Sequence, residues 1–278
     1  MTQSGFIKNI PNSITSLNLV SGIIAIALAF HGQLTGAGIF ILLAAVFDFF
    51  DGMVARLLNV HSEIGKELDS LADVVSFGVA PAVIMLQMMA QSLMPEDLFI
   101  GFFESFSNNG IDPLAKLLLY LNAGGMNFWV YFFLAIPFFI AVFSAFRLAK
   151  FNLDTRQTTS FIGLPTPANA IFILSLGIIV EHTHSTSLLN FILHPMTLFS
   201  ITALFSFLLV CELPMFALKF KNFSFKNNAL KYGFITVSVT LLAALQLYAL
   251  PLIILLYIAT SFVVWVTTEL KSDNKMLY

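Results

Sequence analysis

The sequence has very little of two things that most soluble proteins use, namely charge and cysteine. Charged residues make up 10% of the 278 residues, whereas hydrophobic residues make up 58%, which is outside the range of soluble globular domains. The single cysteine, Cys211, excludes an internal disulfide bond and a cysteine-based metal cluster. Neither a run of charges nor a basic patch is present, so no nucleic-acid partner is expected. The composition predicts an integral membrane protein.

Long apolar runs divide the chain into about eight segments, each close to the roughly 20 residues that a helix needs to cross a bilayer. The first six lie at about 13–31, 36–58, 66–91, 127–150, 166–181 and 187–211. The final block, Leu230 to Leu270, is too long for one crossing and contains Pro251, so it is divided into two segments near residues 246–251. The predicted fold class is therefore all-α integral membrane, with about eight transmembrane helices.

These segments are expected to form a single membrane domain over residues 1–278. It comprises an N-terminal segment (1–12), six core helices within 13–211, and a loop, two helices and a tail within 212–278. Residues 92–126 hold short apolar runs interrupted by Gly, Asn and Pro, which indicates an interfacial insert on the outer side. The N-terminus has no cleavable signal pattern, so the first apolar run is expected to be a retained span.

The positions of Lys and Arg predict how the chain is oriented in the membrane. They precede the first span, follow the even-numbered spans or lie in the tail, and only Lys116 falls in an odd-numbered gap. Because cytoplasmic loops are enriched in Lys and Arg, both termini and the loop between spans two and three are expected in the cytoplasm. The membrane is expected to be a bacterial inner membrane.

Four carboxylates within residues 47–73 are the anomaly of this apolar chain: Asp48, Asp51, Asp69 and Asp73. Left uncompensated near mid-bilayer, each costs about 3 kcal/mol and the four together roughly 10 kcal/mol. Spacings of three and four residues place each pair on one helix face, so two facing helices bring all four together. Oxygen ligands without His or Cys favour Mg²⁺ or Mn²⁺. Mg²⁺ keeps positions open for phosphate oxygens, which predicts a phosphorylated substrate.

Between the two pairs lie small, hydroxyl and cationic residues that suit a bound phosphate: Gly52, Ala55, Arg56, Ser62, Gly65 and Lys66. The small residues let a ligand come close, and the guanidinium offers a fork of donors. The alternative is that the aspartates form structural ion pairs between helices. Arg56, Lys66, Arg147 and Lys150 are the cations that could serve as their counter-ions.

Two further stretches lie at the predicted cytoplasmic ends of spans. In PNSIT, Asn12, Ser13 and Thr15 stand at the start of the first span, where a helix N-terminus attracts anions or where these residues act only as an N-cap. In RLAKFN, Arg147 and Lys150 follow the fourth span, either as ligands or as topology markers. The stretch FIGLPTPAN that follows is either a plain connection or a wall of the site.

Written as a pattern, the aspartate stretch is D-x-x-D-G-x-x-A-R, eight residues, then G-x-x-x-D-x-x-x-D. It resembles the signature of the CDP-alcohol phosphatidyltransferases, and every fixed position matches: Asp48, Asp51, Gly52, Ala55, Arg56, Gly65, Asp69 and Asp73. The stretches PNSIT, SFGVAPA, RLAKFN and GLPTPA are similar to the branch of that family that uses serine as acceptor. The resemblance covers roughly residues 8–170.

The resemblance implies a six-helix core, extended here to eight spans, in a homodimer embedded in membrane lipid. It implies transfer of the phosphatidyl group of CDP-diacylglycerol to L-serine, with CMP as the second product. Two divalent ions, Mg²⁺ or Mn²⁺, would be held by Asp48, Asp51, Asp69 and Asp73, and Asp73 would also act as general base. The residues implied for CDP-diacylglycerol are Asn12, Ser13, Thr15, Gly52, Ala55, Arg56, Ser62 and Gly65. Those implied for serine are Lys66, Ser76, Arg147, Lys150 and Asn152, with Arg147 or Lys150 facing its carboxylate.

Three alternatives remain open at this point. The first is another acceptor within the family, such as glycerol 3-phosphate, inositol phosphate or choline, because the aspartate motif is common to all of them. The second is a membrane prenyltransferase, which would need a second aspartate-rich motif that the sequence does not show. The third is a divalent-cation transporter, which would need polar residues to continue along the later spans, and those spans are nearly free of them.

Overall fold

The computed structural model describes residues 5–60, 62–94, 114–115, 117–118, 121, 128–153, 161–216 and 224–276. Helices dominate these residues and are numbered here in chain order. They are α1 (Gly5–Phe30), α2 (Leu34–Leu57), α3 (Glu63–Asp73), a π-helical segment (Val74–Val79), α4 (Ala80–Ser92), α5 (Phe128–Ala135), α6 (Phe138–Leu153), α7 (Thr166–His182), α8 (Thr186–Ile192), α9 (Pro195–Val210), α10 (Phe225–Leu245) and α11 (Ala249–Met276).

Five helical segments of the described chain are long and apolar enough to cross a membrane: Asn9–Phe30, Leu34–Leu57, Glu63–Ser92, Phe128–Leu153 and Asn228–Thr268. A sixth is the pair α8 and α9, which is bent by 52° where Pro195 begins the second helix. The 17-residue helix α7 is shorter but equally apolar. The chain is therefore an all-α integral membrane protein, as its composition predicts.

The last 41-residue segment, Asn228–Thr268, folds back on itself instead of forming one rod. Gln246, which follows α10, has a φ of 50° and a ψ of −120°, and this breaks the helix. The rings of Phe234 on α10 and Tyr257 on α11 then lie 6.1 Å apart, although 23 residues separate them. The described residues hold eight apolar segments when this hairpin is counted as two, α7 as one and the bent pair of α8 and α9 as one. The sequence predicts the same number.

Helices α4 and α7 form the centre of the bundle. Nearly every residue of α4 is buried, as is every residue of α7 from Phe172 to Val180, as expected for helices that are apolar on all sides. Helix α7 packs against α2, α4 and α11, while α6 packs against the π-helical segment and α9. Helix α1 lies along α2 and also contacts α3 and α4. The outer faces of α1, α2, α6 and α9 expose large apolar side chains that suit lipid.

The prediction that the first span begins near residue 13 is wrong. Helix α1 begins at Gly5 and continues through Pro11, whose missing N–H removes one backbone hydrogen bond in the second turn. Residues 12–15 are therefore inside a helix and their backbone N–H groups are not free. Their position inside the helix excludes both predictions for this turn, namely the anion-binding helix N-terminus and the N-cap.

A short ladder of two antiparallel strands ties the connection before α7 to the end of α9. Strand β1 (Phe161–Ile162) pairs with β2 (Pro214–Met215). Gly163 follows β1 with a φ of 75°, and a Cβ there would lie 2.6 Å from the carbonyl oxygen of Leu209, so only glycine fits. The predicted outer insert, 92–126, lies mostly outside the described residues.

Candidate active site

Helix α2 carries one continuous stripe that changes from apolar to acidic along its length. The stripe is buried at Leu34, Ala37, Ile41 and Ala44 and again at Asp51, with the half-buried Asp48 between the last two. Spacings of three and four residues keep these positions on one face. Packing of the apolar half of the stripe against the bundle therefore turns both carboxylates inward at the other end of the helix.

Helix α3 supplies the opposing carboxylates. Its first turn is capped by Ser62, whose Oγ accepts a hydrogen bond from the backbone N–H of Gly65 at 3.2 Å, an arrangement that fixes where the helix begins. Asp69 and Asp73 follow on one face, and Asp73 is buried. The π-helical segment begins directly after Asp73. Such a segment often marks a functional site in a helix.

Three of the four carboxylates converge. One oxygen from each of Asp48, Asp51 and Asp69 lies within 4.8 Å of the other two. Oδ1 of Asp69 is buried and has no hydrogen-bond partner among the described residues. An unpaired carboxylate oxygen in an apolar protein is costly, and a set of oxygen ligands fits Mg²⁺ or Mn²⁺. The residues present therefore fit a hard divalent cation.

A cleft of about 230 Å³ opens beside these carboxylates. The residues that line it come from α1, α2 and α3 and from the connection between the last two, namely Pro11, Asn12, Thr15, Asp51, Gly52, Ala55, Val60, Ser62, Gly65, Lys66 and Asp69. Gly52 faces open space, since a Cβ there would meet no atom of the described residues within 4 Å. Gly65 instead permits close packing of α3 on α1, because a Cβ there would lie 2.8 Å from Oδ1 of Asn12.

Helix α1 orients two of the carboxylates from the third side. Thr15 Oγ1 donates to Oδ2 of Asp51 at 2.6 Å, and Asn18 Nδ2 donates to Oδ1 of Asp73 at 3.1 Å. Both α1 residues are buried. Sequence reasoning included Thr15 but missed Asn18, although Pro11, Thr15 and Asn18 recur at helical spacing and would have indicated one shared face.

Two residues predicted for CDP-diacylglycerol do not line the cleft. Ser13 is exposed and its hydroxyl donates to the carbonyl oxygen of Asn9 within α1. Arg56 is exposed at the end of α2, where its Nε donates to the carbonyl oxygen of Gly52 at 2.9 Å. Ser13 points away from the cleft because it lies two residues before Thr15 in α1, and residues two apart lie on opposite faces of a helix. The structure brings together the other six predicted residues: Asn12, Thr15, Gly52, Ala55, Ser62 and Gly65.

Three of the residues predicted for serine already have protein partners. Nζ of Lys66 donates to the carbonyl oxygen of Asn152 at 3.1 Å, and Nδ2 of Asn152 donates to Oγ of Ser70 at 2.8 Å. These bonds join α3 to the end of α6. Ser76 is fully buried and donates to the carbonyl oxygen of Asn18 at 3.0 Å. Ser76 therefore holds the π-helical segment against α1.

The two cations of α6 have different surroundings. Arg147 is 7% exposed, and its Nη1 donates to Oγ1 of Thr166 at 3.4 Å. It interacts electrostatically with Asp73 and lies over the ring of Phe151. Lys150 is exposed. Of the two cations predicted to face the carboxylate of serine, Arg147 is therefore the one inside the protein. Because Thr166 at the start of α7 contacts Arg147, the GLPTP connection lies beside this guanidinium.

Comparisons with known proteins show which sequences this chain is similar to. The sequence model of the CDP-alcohol phosphatidyltransferase family matches residues 8–102. The CDP-diacylglycerol–serine O-phosphatidyltransferase of Bacillus subtilis is 33% identical over 158 residues, which is 57% of this chain and 69% of that protein. The protein of the same name from Saccharomyces cerevisiae is 34% identical over 184 residues, covering 60% and 53%. Archaetidylserine synthase of Methanothermobacter thermautotrophicus is 32% identical over 169 residues, covering 60% and 56%. The match thus spans little more than half of the length of the last two relatives.

Proposed function

Because the chain belongs to the CDP-alcohol phosphatidyltransferase family, we propose that it transfers the phosphatidyl group of CDP-diacylglycerol to the hydroxyl of L-serine, giving phosphatidylserine and CMP. The observation that supports this most directly is the convergence of Asp48, Asp51 and Asp69 beside an open cleft. The names of the relatives support serine as acceptor. The buried guanidinium of Arg147 near Asp73 also supports it.

Asp48, Asp51 and Asp69 are the proposed ligands of two divalent ions, Mg²⁺ or Mn²⁺, with Asp73 as a further ligand of the second. When bound, the ions neutralise the diphosphate and the charge that develops on the leaving CMP. Thr15 fixes the orientation of Asp51 by its hydrogen bond of 2.6 Å. A ligand oriented in this way loses little freedom when it binds a cation.

Asp73 is the proposed general base. The hydroxyl of serine is far too weak an acid to ionise at neutral pH, so a carboxylate within hydrogen-bond reach must take its proton during attack. Asn18 donates to Oδ1 of Asp73, which leaves Oδ2 to accept that proton. The serine oxygen forms a bond to the phosphorus that bears diacylglycerol, the bond from that phosphorus to the CMP oxygen breaks, and CMP leaves.

The cleft residues of α1, α2 and α3 are the proposed site for the CDP part of the lipid substrate. Ser62, Asn12 and Lys66 offer polar groups at its rim, and Gly52 leaves room for a phosphate to approach the helix. The acyl chains would remain in the bilayer beside the apolar outer faces of the helices. We further propose that the cleft faces the cytoplasm of a bacterial cell, as the distribution of Lys and Arg predicts, and that two copies form a homodimer.

A parallel acceptor assay tests the proposal. The purified full-length protein is given CDP-diacylglycerol with Mg²⁺ or Mn²⁺ and one of four acceptors: L-serine, glycerol 3-phosphate, inositol phosphate or choline. CMP release and the new phospholipid are both measured. We expect both products only with serine. Products with another acceptor, and none with serine, would leave the family assignment in place and overturn the serine assignment.

The base assignment has its own matched pair of variants. Asp73→Asn removes the proton acceptor and should lower kcat by about 10² to 10⁴-fold, the usual contribution of a general base. Glu67→Gln removes a carboxylate from the exposed part of the same helix and should leave kcat unchanged. An Asp73→Asn enzyme with the wild-type kcat would show that another group takes the proton.

A further inference from the structure

Asn169 is the polar residue of this bundle whose burial is hardest to explain. It lies in the first turn of α7, its side chain is 0% exposed, and neither its Oδ1 nor its Nδ2 has a hydrogen-bond partner among the described residues. Burying an amide with neither group satisfied destabilises a fold. An aliphatic side chain would pack there without that penalty, so the amide needs a reason other than packing.

The surroundings of Asn169 connect it to the proposed acceptor site. Thr166, three residues earlier on α7 and also 0% exposed, lies on the same side of the helix, since positions i and i+3 are neighbours. Thr166 accepts the hydrogen bond from Nη1 of Arg147. Nε of Arg147 is buried without a partner among the described residues. Arg147 in turn interacts electrostatically with Asp73.

A guanidinium, an amide and a carboxylate base are together complementary to a zwitterionic amino acid. Arginine binds carboxylates through paired donors. An asparagine side chain offers both a donor and an acceptor, so one end can bind a carboxylate oxygen and the other an ammonium group. The phosphate group of a sugar phosphate would use only the donor, whereas an ammonium and a carboxylate together use both ends of the amide. An amide at this position therefore suits an amino-acid headgroup.

We propose that Asn169 is a specificity-determining residue that, together with Arg147, binds the α-ammonium and α-carboxylate of the acceptor. This inference rests on the proposed serine transfer and deepens it. Asn169 lies three residues further along α7 than Thr166, which contacts Arg147. In the proposed arrangement it therefore binds the ammonium and carboxylate groups of serine, which do not react. The hydroxyl of serine then remains free to approach Asp73.

The test is Asn169→Leu in the purified full-length protein, assayed for CMP release with CDP-diacylglycerol. We expect KM for serine to rise at least tenfold, while KM for CDP-diacylglycerol stays within twofold of wild type. We also expect the thermal unfolding temperature to stay the same or rise, because an unpaired buried amide has been removed. A purely structural role would lower the unfolding temperature and leave KM for serine unchanged.

Ser206→Ala provides the matched control. Ser206 is also buried with a hydroxyl that has no partner among the described residues, but it lies on α9 beside the phenylalanines of a separate apolar hollow. Its removal should change neither KM.

Two serine analogues add a second readout: 3-hydroxypropionate lacks the ammonium group and ethanolamine lacks the carboxylate. Wild type should prefer serine to both strongly, and Asn169→Leu should lose most of its discrimination against 3-hydroxypropionate.

Two results would overturn the inference, and they differ from failure of the proposed function. If wild type uses serine and Asn169→Leu keeps the wild-type KM and analogue discrimination, the role of Asn169 is wrong while serine transfer stands. If wild type releases CMP only with a different alcohol, serine transfer is wrong and the inference is wrong with it. Should the leucine variant not be recovered in folded form, Asn169→Ser, which is smaller and offers one polar atom, must show the same selective rise in KM.

Discussion

The two ends of helix α2 show two different ways of keeping a carboxylate in an apolar bundle. Near its start, Oε2 of Glu181 accepts hydrogen bonds from both the backbone N–H and the hydroxyl of Thr35, at 2.5 and 2.6 Å. About 24 Å away along the helix axis, Asp48, Asp51 and Asp69 converge, and Oδ1 of Asp69 has no partner among the described residues. The first carboxylate therefore has hydrogen-bond donors from the protein, whereas the second group keeps one buried oxygen without any among the described residues.

Under the proposed function, this difference separates a structural acid from a functional one. The backbone N–H groups at the start of α2 have no acceptor within that helix, and Glu181 supplies one. Glu181 therefore needs no ligand from outside the protein. The three aspartates increase one another's energetic cost by their mutual repulsion, and the cation proposed above would compensate for that cost. This predicts that the two ends respond in opposite ways to the same chemical change.

The largest expected effect comes from replacing a carboxylate by its amide at each end. Asp69→Asn should lower kcat for CMP release by at least about a thousandfold, since metal-assisted charge stabilisation contributes several kcal/mol, while the fold remains intact. Glu181→Gln should leave kcat unchanged and lower the free energy of unfolding by about 1 kcal/mol, because a charge-assisted hydrogen bond becomes a neutral one. CMP release and thermal unfolding are measured for both variants.

The comparison would be wrong if the two variants exchanged phenotypes. An Asp69→Asn enzyme within tenfold of the wild-type kcat would exclude the carboxylate cluster from the reaction. A Glu181→Gln enzyme with strongly reduced kcat and normal stability would place function at the end of α2 that we assign to structure.

Divalent cations should stabilise the acidic end directly. A ligand at 100 times its dissociation constant raises the free energy of unfolding by about 2.7 kcal/mol if it binds only the folded state. After chelation, addition of Mg²⁺ or Mn²⁺ should therefore raise the unfolding temperature of the wild type and of Glu181→Gln. The same addition should have no effect on Asp69→Asn. An equal rise in all three proteins would show that the cation binds elsewhere.

How much of this site could be predicted from the sequence depends on how local each feature is. The carboxylate pairs follow from spacing within one helix, and three of the four meet as expected. Asn18 and Asn169 were not predicted, because what matters about them is the presence or absence of partners on other helices. Asn12, Ser13 and Thr15 were predicted to stand at the start of the first span, whereas α1 begins at Gly5 and continues through Pro11.

The fold shows the same division between local and long-range features. The length of the last apolar block and Pro251 predicted two helices that divide near residues 246–251, and the break occurs within that range, at Gln246. Composition alone could not predict that α7 lies at the centre of the bundle, because α7 is not the most apolar of the helices. Its position follows from packing against α2, α4 and α11 together.

A pair of glycines tests whether the cleft next to the aspartates is a binding surface. Within the part of the chain that the structure describes, a Cβ at Gly52 or at Gly233 would meet no atom within 4 Å. Alanine should therefore fit at both sites and, through its helix propensity, should not destabilise either helix. Gly52→Ala should nevertheless lower kcat/KM about 100-fold, since a displacement of about 1 Å can cost that much. Gly233→Ala, on α10, should be as active as wild type. Equal activity in both variants would mean that the substrate does not approach Gly52.

The smallest expected effect concerns the hydrogen bond that orients one of the aspartates. Thr15 Oγ1 lies 2.6 Å from Oδ2 of Asp51 and 3.1 Å from the carbonyl oxygen of Pro11, and a hydroxyl has one proton to donate. Thr15→Val keeps the shape and removes the proton. Loss of a bond that orients a metal ligand typically costs 10 to 100-fold in affinity or activity, so we expect about a tenfold higher Mn²⁺ concentration for half-maximal CMP release.

Thr202 gives this prediction a close control. It is fully buried on α9, and its hydroxyl donates to the carbonyl oxygen four residues earlier, that of Leu198, as that of Thr15 can to Pro11. Only Thr15 also reaches a carboxylate. Thr202→Val should therefore need the wild-type Mn²⁺ concentration. If both variants shift by the same factor, the effect of Thr15 reflects the packing of threonine in a helix and not the orientation of Asp51, and α1 would then contribute to the acidic end of the bundle only through Asn18.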